Sequence, residues 1–359
     1  MKVLIVDTVP KERATYLEYY INICERLKIN YDRLIWDRSK NGKIEYKGHE
    51  IIYHGKGYDG NVSKIKKIYP LYKYRCILKK IIQNGEYTHL ILVNTIAPVI
   101  IAGVIRKHFK NRYIMDIRDY TYEKWSFYKK RVDRLINDST FSVISSRGFY
   151  KFLKPNSKII IAHNVSNIAD EFKTATLHKN KCNTIGFVGY VRYKKENIQL
   201  IENFLNSNLY QLLYAGGSTE GCNLEEFCEK NQIDNVRFIG QFENKDKAQI
   251  YKKIDIINSL YGDFSLEVTT AIPNRYYDAL LFKKPIIASK NTFLGELVEK
   301  KHLGIAVDVF NDDIKKIMEK YIDNFNKEKF EKYCEKELQN VLFEQKIYED
   351  KIIKFLMMG

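Results

Sequence analysis

Short apolar runs alternate along this chain with longer amphipathic stretches, and that rhythm predicts the first layer of structure. In the first half, residues 3–9, 89–94, 112–117, 141–145 and 158–162 read as strands buried on both faces. Between them, 11–27, 99–109, 124–137 and 147–153 carry the spacing of helices. Such alternation implies a parallel sheet covered on both sides. Residues 164–183 are polar and break the rhythm, which places a linker there. The rhythm then restarts, with strands expected at 184–188, 210–215, 236–239, 254–258, 285–289 and 304–307. From 312 onward the chain reads as helix, strongly amphipathic over 343–358. The expected fold class is therefore α/β, with two Rossmann-like, doubly wound parallel-sheet domains at 1–170 and 180–340 facing a cleft. Residues 341–359 form a C-terminal helix that crosses back to the first domain. In such sheets ligands bind at the carboxyl ends of the strands, where helix N-termini present free N–H groups.

Composition narrows the class without naming a function. A chain of 359 residues suits two domains, and 45% hydrophobic with 29% charged residues is ordinary for a globular protein. The opening MKVLIVDTV lacks the features of a secretory signal. The longest apolar run, 90–105, is interrupted by Asn94, Thr95 and Pro98 and is too short to span a bilayer. Six scattered cysteines, none at metal or redox spacing, read as reduced structural thiols in a cytoplasmic protein.

Charge changes the picture more. The net charge is +16, and residues 1–170 hold 32 Lys and Arg against 16 Asp and Glu, so the whole excess lies in the first half. A one-sided basic surface attracts phosphate, whether on nucleic acid, anionic lipid or a pyrophosphate-linked substrate. The segment 63–82, SKIKKIYPLYKYRCILKKII, interleaves Lys and Arg with Tyr, Ile and Leu, as suits a membrane interface. A solvated charge run is the better account of any one cluster, but with Arg106, Lys107, Lys110 and Arg112 and the excess of the whole half this segment points to peripheral attachment at the inner face of the cell membrane.

The chemistry concentrates in AIPNRYYDALLFKKPIIAS, residues 271–289. Pro273 fits a helix start, Asn274 follows it, and Lys284-Pro285 ends the helix before a strand. Arg275 offers a fork suited to phosphate, and Asp278, one turn on, could accept hydrogen bonds from ribose hydroxyls. An ordinary surface helix remains the alternative reading. This segment resembles the C-terminal signature of family-4 (group 1) glycosyltransferases of GT-B architecture, and the likeness continues through Leu294-Gly295-Glu296-Leu297-Val298 and residues 303–308. Upstream, residues 185–195 resemble that family's glycine-then-basic segment. There the resemblance implies that Gly189 admits the nucleotide while Arg192 and Lys195 clamp the diphosphate. A basic loop facing solvent is the competing view. Gly216 and Gly217 resemble the next strand-end turn, and the segment that ends in Gln241 and Phe242 resembles the one whose backbone reads the base in that family.

The likeness covers residues 184–308 well and the first domain in outline. There Asp116 and Asp119 stand where the family often has an acidic strand-end motif, and either could bind the acceptor or act as its base. A salt bridge with Arg118 is the alternative. Two positions depart from the family. Tyr190 replaces the arginine after the glycine, and Thr270 replaces the first of two glutamates separated by seven residues, leaving Asp278 at the second. Retention of anomeric configuration is thus a family-level expectation.

The resemblance implies a metal-independent glycosyltransferase that takes a UDP- or GDP-linked sugar as substrate and needs no cofactor. Its acceptor would be a glycan or polyprenyl-pyrophosphate-linked molecule in surface polysaccharide or capsule synthesis. No metal-ligand spacing is present. The rivals are a nucleic-acid-binding protein, for which no reader motif is found, and a GT-B-fold sugar-nucleotide epimerase, whose catalytic acids and histidines cannot be aligned. A non-catalytic member that keeps the fold as a scaffold is a further rival, motivated by Tyr190 and Thr270.

Overall fold

The apolar runs form parallel strands in a computed structural model of the chain, which describes residues 1–8, 16–38, 42–57, 64–165, 177, 181–219, 221–262 and 264–358, omitting the side chains of 64 and 65. The chain divides into two units, one of Met1–His163 with Phe343–Gly359, the other of Asn164–Leu342. Residues 9 and 11–15 of the expected first strand and helix, 63 of the basic segment, and 166–176 and 178–180 of the expected linker lie outside the described residues.

The first unit is built on β1 (Lys2–Val6), β2 (Asn30–Trp36), β3 (Ile44–Lys47), β4 (Glu50–Tyr53), β5 (His89–Val93), β6 (Tyr113–Ile117), β7 (Phe141–Ile144) and β8 (Ile159–Ile161). They pair in the order β3-β4-β2-β1-β5-β6-β7-β8, all parallel except the β3–β4 hairpin. The central strands β5, β6 and β7 are buried at every residue, as a sheet covered on both faces requires. The helices of this unit are α1 (Leu17–Arg26), α2 (Lys64–Asn84), α3 (Ile96–Ile100), α4 (Ala102–His108) and α5 (Ser126–Asp138). One apolar cluster joins α2, α3, α4 and α5 to one face of the sheet. The other joins α1 and the C-terminal residues Tyr348, Ile352 and Phe355 to the opposite face.

The single helix expected over 99–109 is instead two short ones, because the ladder restarts at Ile101, whose carbonyl accepts from both Val104 and Ile105. The helix expected at 147–153 is a 3₁₀ turn, Arg147–Lys151, with the Ser146 hydroxyl accepting from the Gly148 N–H. Strands β2, β3 and β4 were not foreseen.

The second unit carries β9 (Asn183–Val188), β10 (Tyr210–Ala215), β11 (Val236–Gly240), β12 (Ile256–Ser259), β13 (Ile286–Ser289) and β14 (Gly304–Val307). All pair in parallel in the order β11-β10-β9-β12-β13-β14. Its helices are α6 (Lys194–Asn203), α7 (Leu224–Lys230), α8 (Lys247–Lys252), α9 (Leu266–Thr270), α10 (Asn274–Phe282), α11 (Phe293–Lys300), α12 (Ile314–Asp323) and α13 (Lys327–Leu356). Helix α13 starts in this unit, and its last turns belong to the first. Four of the six cysteines are buried, and burial pushes the Cys24 and Cys334 thiols up to about 12, which suits inert packing groups.

Candidate functional site

Strand order in the second sheet reverses at β9, which lies between β10 and β12. Loops leaving adjacent strands at such a point diverge to opposite faces and open a crevice at the carboxyl ends. Two glycines shape its floor. Gly189 follows β9 with φ +129° and Gly216 follows β10 with φ +130°. A Cβ on Gly216 would run into the Gly189 carbonyl, so no side chain fits where these turns cross. The Gly189 amide bonds Ala215 at 2.8 Å and the Gly216 amide bonds Gly240 at 2.7 Å, which ties three strand ends together.

Arg275 lies in this crevice. Pro273 is the extended residue before α10, Asn274 is the first helical one, and no side chain caps the helix start, so its positive end stays available to an anion. Arg275 is only 7% exposed. Its guanidinium carbon sits 4.0 Å from the Phe187 ring centroid and 5.3 Å from that of Tyr261. Its Nε donates to the Ser259 hydroxyl at 3.3 Å and Nη1 to the Val188 carbonyl at 3.4 Å. A guanidinium has five N–H donors, so these two bonds leave three unused. Among the described residues no carboxylate lies within ion-pair distance of it. A buried, pre-oriented cation of this kind is completed by an anion.

The other sequence-predicted residues distribute unevenly around Arg275. Gly217 is flanked by Tyr190 and Gln241, whose nearest atoms would stand 3.5 and 3.4 Å from a Cβ placed there. Arg192 and Lys195 are exposed at the start of α6, and the Arg192 guanidinium lies 5.7 Å from the Tyr190 ring. Phe242 packs into the apolar cluster of α8 and α10. A cavity of 90 Å³ opens between the ends of β10 and β11, lined by Gly216, Phe238, Gly240 and Leu224. Asp278 is drawn away from the crevice: it is 3% exposed, and both oxygens are taken by Lys247 and Tyr251 of α8. Thr270 is fully buried, with its hydroxyl bonded to the Leu266 carbonyl.

Sequence reading missed Phe187, Ser259 and Tyr261, which hold Arg275, and Lys247 and Tyr251, which hold Asp278. Lys247 and Tyr251 stand four apart and so share a helix face, the one signal that could have paired them.

In the first unit the strand ends are occupied by the chain's own charges. Asp116 is completely buried, and its Oδ2 accepts from Tyr20 at 2.8 Å and from Arg118 at 2.7 Å. The expectation that Asp116 meets an acceptor is therefore corrected, because no ligand reaches a carboxylate sealed by β6, α1 and Arg118. Arg118 also donates to Tyr348 at 3.4 Å, which brings the C-terminal segment into the same network. Asp119 differs. It is exposed, with no hydrogen-bond or ion-pair partner among the described residues. Desolvation raises its carboxyl above the usual range; Arg118 opposes this and Asp116 adds to it. Nearby, Glu344 of α13 is bonded by His163 at 2.7 Å and by Arg147.

Helix α2 carries no acidic residue and exposes Ile68, Tyr69 and Tyr72 beside Lys66 and Lys73. No helix among the described residues is long and apolar enough to cross a membrane.

Residues 168–340 match the family model described as glycosyl transferases, group 1. The chain resembles the group 1 glycosyltransferases. Solved structures of GT-B glycosyltransferases share the fold over nearly the whole chain. Sucrose-phosphate synthase from Thermosynechococcus elongatus aligns with a TM-score of 0.69 at 13% identity, covering 98% of both chains. Anabaena HepE, solved with UDP and glucose, gives 0.65 at 13%, covering 98% of this chain and 99% of HepE. WaaG, a glycosyltransferase of lipopolysaccharide biosynthesis, gives 0.60 at 10%, covering all of both. No curated protein matches the chain by sequence. The glycosyltransferase likeness thus rests on the family pattern in the second unit and on a fold shared at low identity.

Proposed function

We propose that this chain is a glycosyltransferase that binds a UDP- or GDP-linked sugar in the second unit. The observation that carries this reading is Arg275, a buried guanidinium without a carboxylate partner among the described residues, stacked at the strand-order switch beside two glycines and an uncapped helix start. There the diphosphate meets Arg275 and the α10 N–H groups, with Arg192 and Lys195 reaching it from the rim. These cations stabilise the charge that develops on the leaving diphosphate, so the transfer runs without a metal. HepE, solved with UDP and glucose at 13% identity, supports a nucleotide-sugar donor.

The acceptor, in this reading, is a glycan or polyprenyl-pyrophosphate-linked molecule of surface polysaccharide synthesis, taken by the first unit, with Asp119 as its base. Retention is the expected stereochemistry. The basic, tyrosine-bearing face of α2 holds the enzyme to an anionic membrane surface on the cytoplasmic side. Thermal-shift and donor-hydrolysis assays across UDP- and GDP-sugars test the central reading, which fails if none stabilises or is turned over by the protein. Flotation with phosphatidylglycerol vesicles against phosphatidylcholine vesicles tests the surface. Equal partitioning to both removes the membrane from the reading.

A further inference from the structure

Asp278 sits on α10 one turn beyond Arg275, yet it faces the protein. Its Oδ1 accepts from the Lys247 ammonium at 2.6 Å and its Oδ2 from the Tyr251 hydroxyl at 2.8 Å. The Lys247 side chain is itself mostly covered, at 15% exposure. Both partners lie on one face of α8, and only the short turn Asn244–Asp246 with Glu243 separates that helix from Gln241 and Phe242. An ion pair this deep repays its desolvation poorly as a source of stability, but it fixes register between the elements it joins. Burial pushes the Asp278 carboxyl above the usual range, and Lys247 and Tyr251 pull against that push.

We infer that Asp278 is a positioning residue: with Lys247 and Tyr251 it locks α8 onto α10, and so sets the Gln241–Phe242 turn against the diphosphate end of α10, instead of accepting the nucleotide's ribose hydroxyls. The inference rests on the donor-site reading above. A carboxylate with a ribose role needs its oxygens at the surface of the crevice, whereas here each oxygen already has a donor and the residue is 3% exposed. The brace joins the part of the site expected to read the base to the part that grips the phosphates. It therefore bears on nucleoside recognition and leaves the phosphate grip alone.

Calorimetric titration of the purified full-length protein distinguishes the roles, with the better-bound of UDP and GDP, its 2′-deoxy counterpart, and inorganic pyrophosphate as probes. The variants are Asp278→Asn, Lys247→Met and the double variant, whose neutral pair keeps the fold where a lone buried charge would endanger it. Each single variant is expected to weaken ribo- and deoxyribonucleotide by the same factor, roughly tenfold. The ribo-to-deoxy ratio and pyrophosphate binding stay unchanged, and the double variant is no worse than either single. The inference is overturned if Asp278→Asn abolishes the preference for the ribonucleotide while Lys247→Met keeps it, which would make Asp278 a ribose ligand. It is also overturned if pyrophosphate binding falls in parallel, which would make the pair a general prop of the fold. A wild-type protein that binds neither nucleotide removes the donor-site reading itself, a result distinct from both.

Discussion

The six strands β4-β2-β1-β5-β6-β7 of the first sheet repeat the order of the whole second sheet, yet the carboxyl edges of the two are finished in opposite ways. In the second unit the edge ends in glycines and a guanidinium stacked on Phe187, which no carboxylate among the described residues pairs. In the first unit the arginine at the edge, Arg118, is paired with Asp116, and Tyr20 and Tyr348 join the same network, although Arg118 Nε and Asp116 Oδ1 are left without a hydrogen-bond partner. Burial pushes the Tyr20 hydroxyl well above its ordinary value, and nearby Asp116 adds to the push. The same residue type thus awaits an anion in one place and carries its own in the other. What separates the two edges is the counter-charge: Arg118 has its own carboxylate, and Arg275 has none among the described residues.

The largest test of that contrast lies in the first unit. Asp119→Asn should lower kcat by roughly 10²–10⁴ if Asp119 is the base, with the melting temperature unmoved. Its carboxyl is held above the ordinary 3.8, and a base works deprotonated, so the acid limb of the wild-type rate profile should sit above that value. Asp116→Asn should instead cost about 3 kcal/mol of stability, since it leaves a buried arginine without its counter-charge. If Asp116→Asn folds as stably as wild type but is inactive, the distinction drawn between the two aspartates collapses.

Next is Arg275→Ala, expected to lower kcat/KM for donor by about 10²–10³ with little loss of stability, because no carboxylate among the described residues pairs with it. Arg275→Lys should recover only part, as a lysine loses the planar stack and the fork. A third, smaller effect concerns the C-terminal segment. His163 and Arg147 hold the Glu344 carboxyl below the usual glutamate range, His163 making the larger contribution despite some opposing desolvation. A depressed carboxyl contributes stability above its ordinary value, 4.5, and loses it as pH falls through the lower folded value. Thermal melts from about pH 6 to pH 3 should show that loss in wild type, and Glu344→Gln should flatten it.

Most of the second unit was legible in sequence because its strands are short and mainly apolar, and four of them, β9, β10, β11 and β14, have a glycine at one end. Five of its strands start within one residue of the expected position, and β12 within two. The first unit yielded less. Strand β2 contains Asp32 and Arg33, and β3 is exposed along most of its length, so neither shows the apolar run that marks a buried strand. The site divided in the same way. Glycines and a helix-start proline announce local backbone geometry, so Gly189, Gly216 and the turn before Arg275 could be found. Tertiary partners leave no such mark. Nothing near Asp278 shows that Lys247, 31 residues earlier, has already claimed it, or that Tyr20 lies against Asp116 from 96 residues away.

The assignment of Phe343–Gly359 to the first unit has a consequence for biosynthesis. The ribosome delivers residues 1–163 of that unit first and Phe343–Gly359 only after the whole of the second unit. Until then Tyr19 lacks the stacked ring of Tyr348, and the apolar face later covered by Ile352 and Phe355 is open. The second unit, whose residues are contiguous, can close as soon as Leu342 has left the tunnel. Of the two units, the first is therefore the one that finishes folding last.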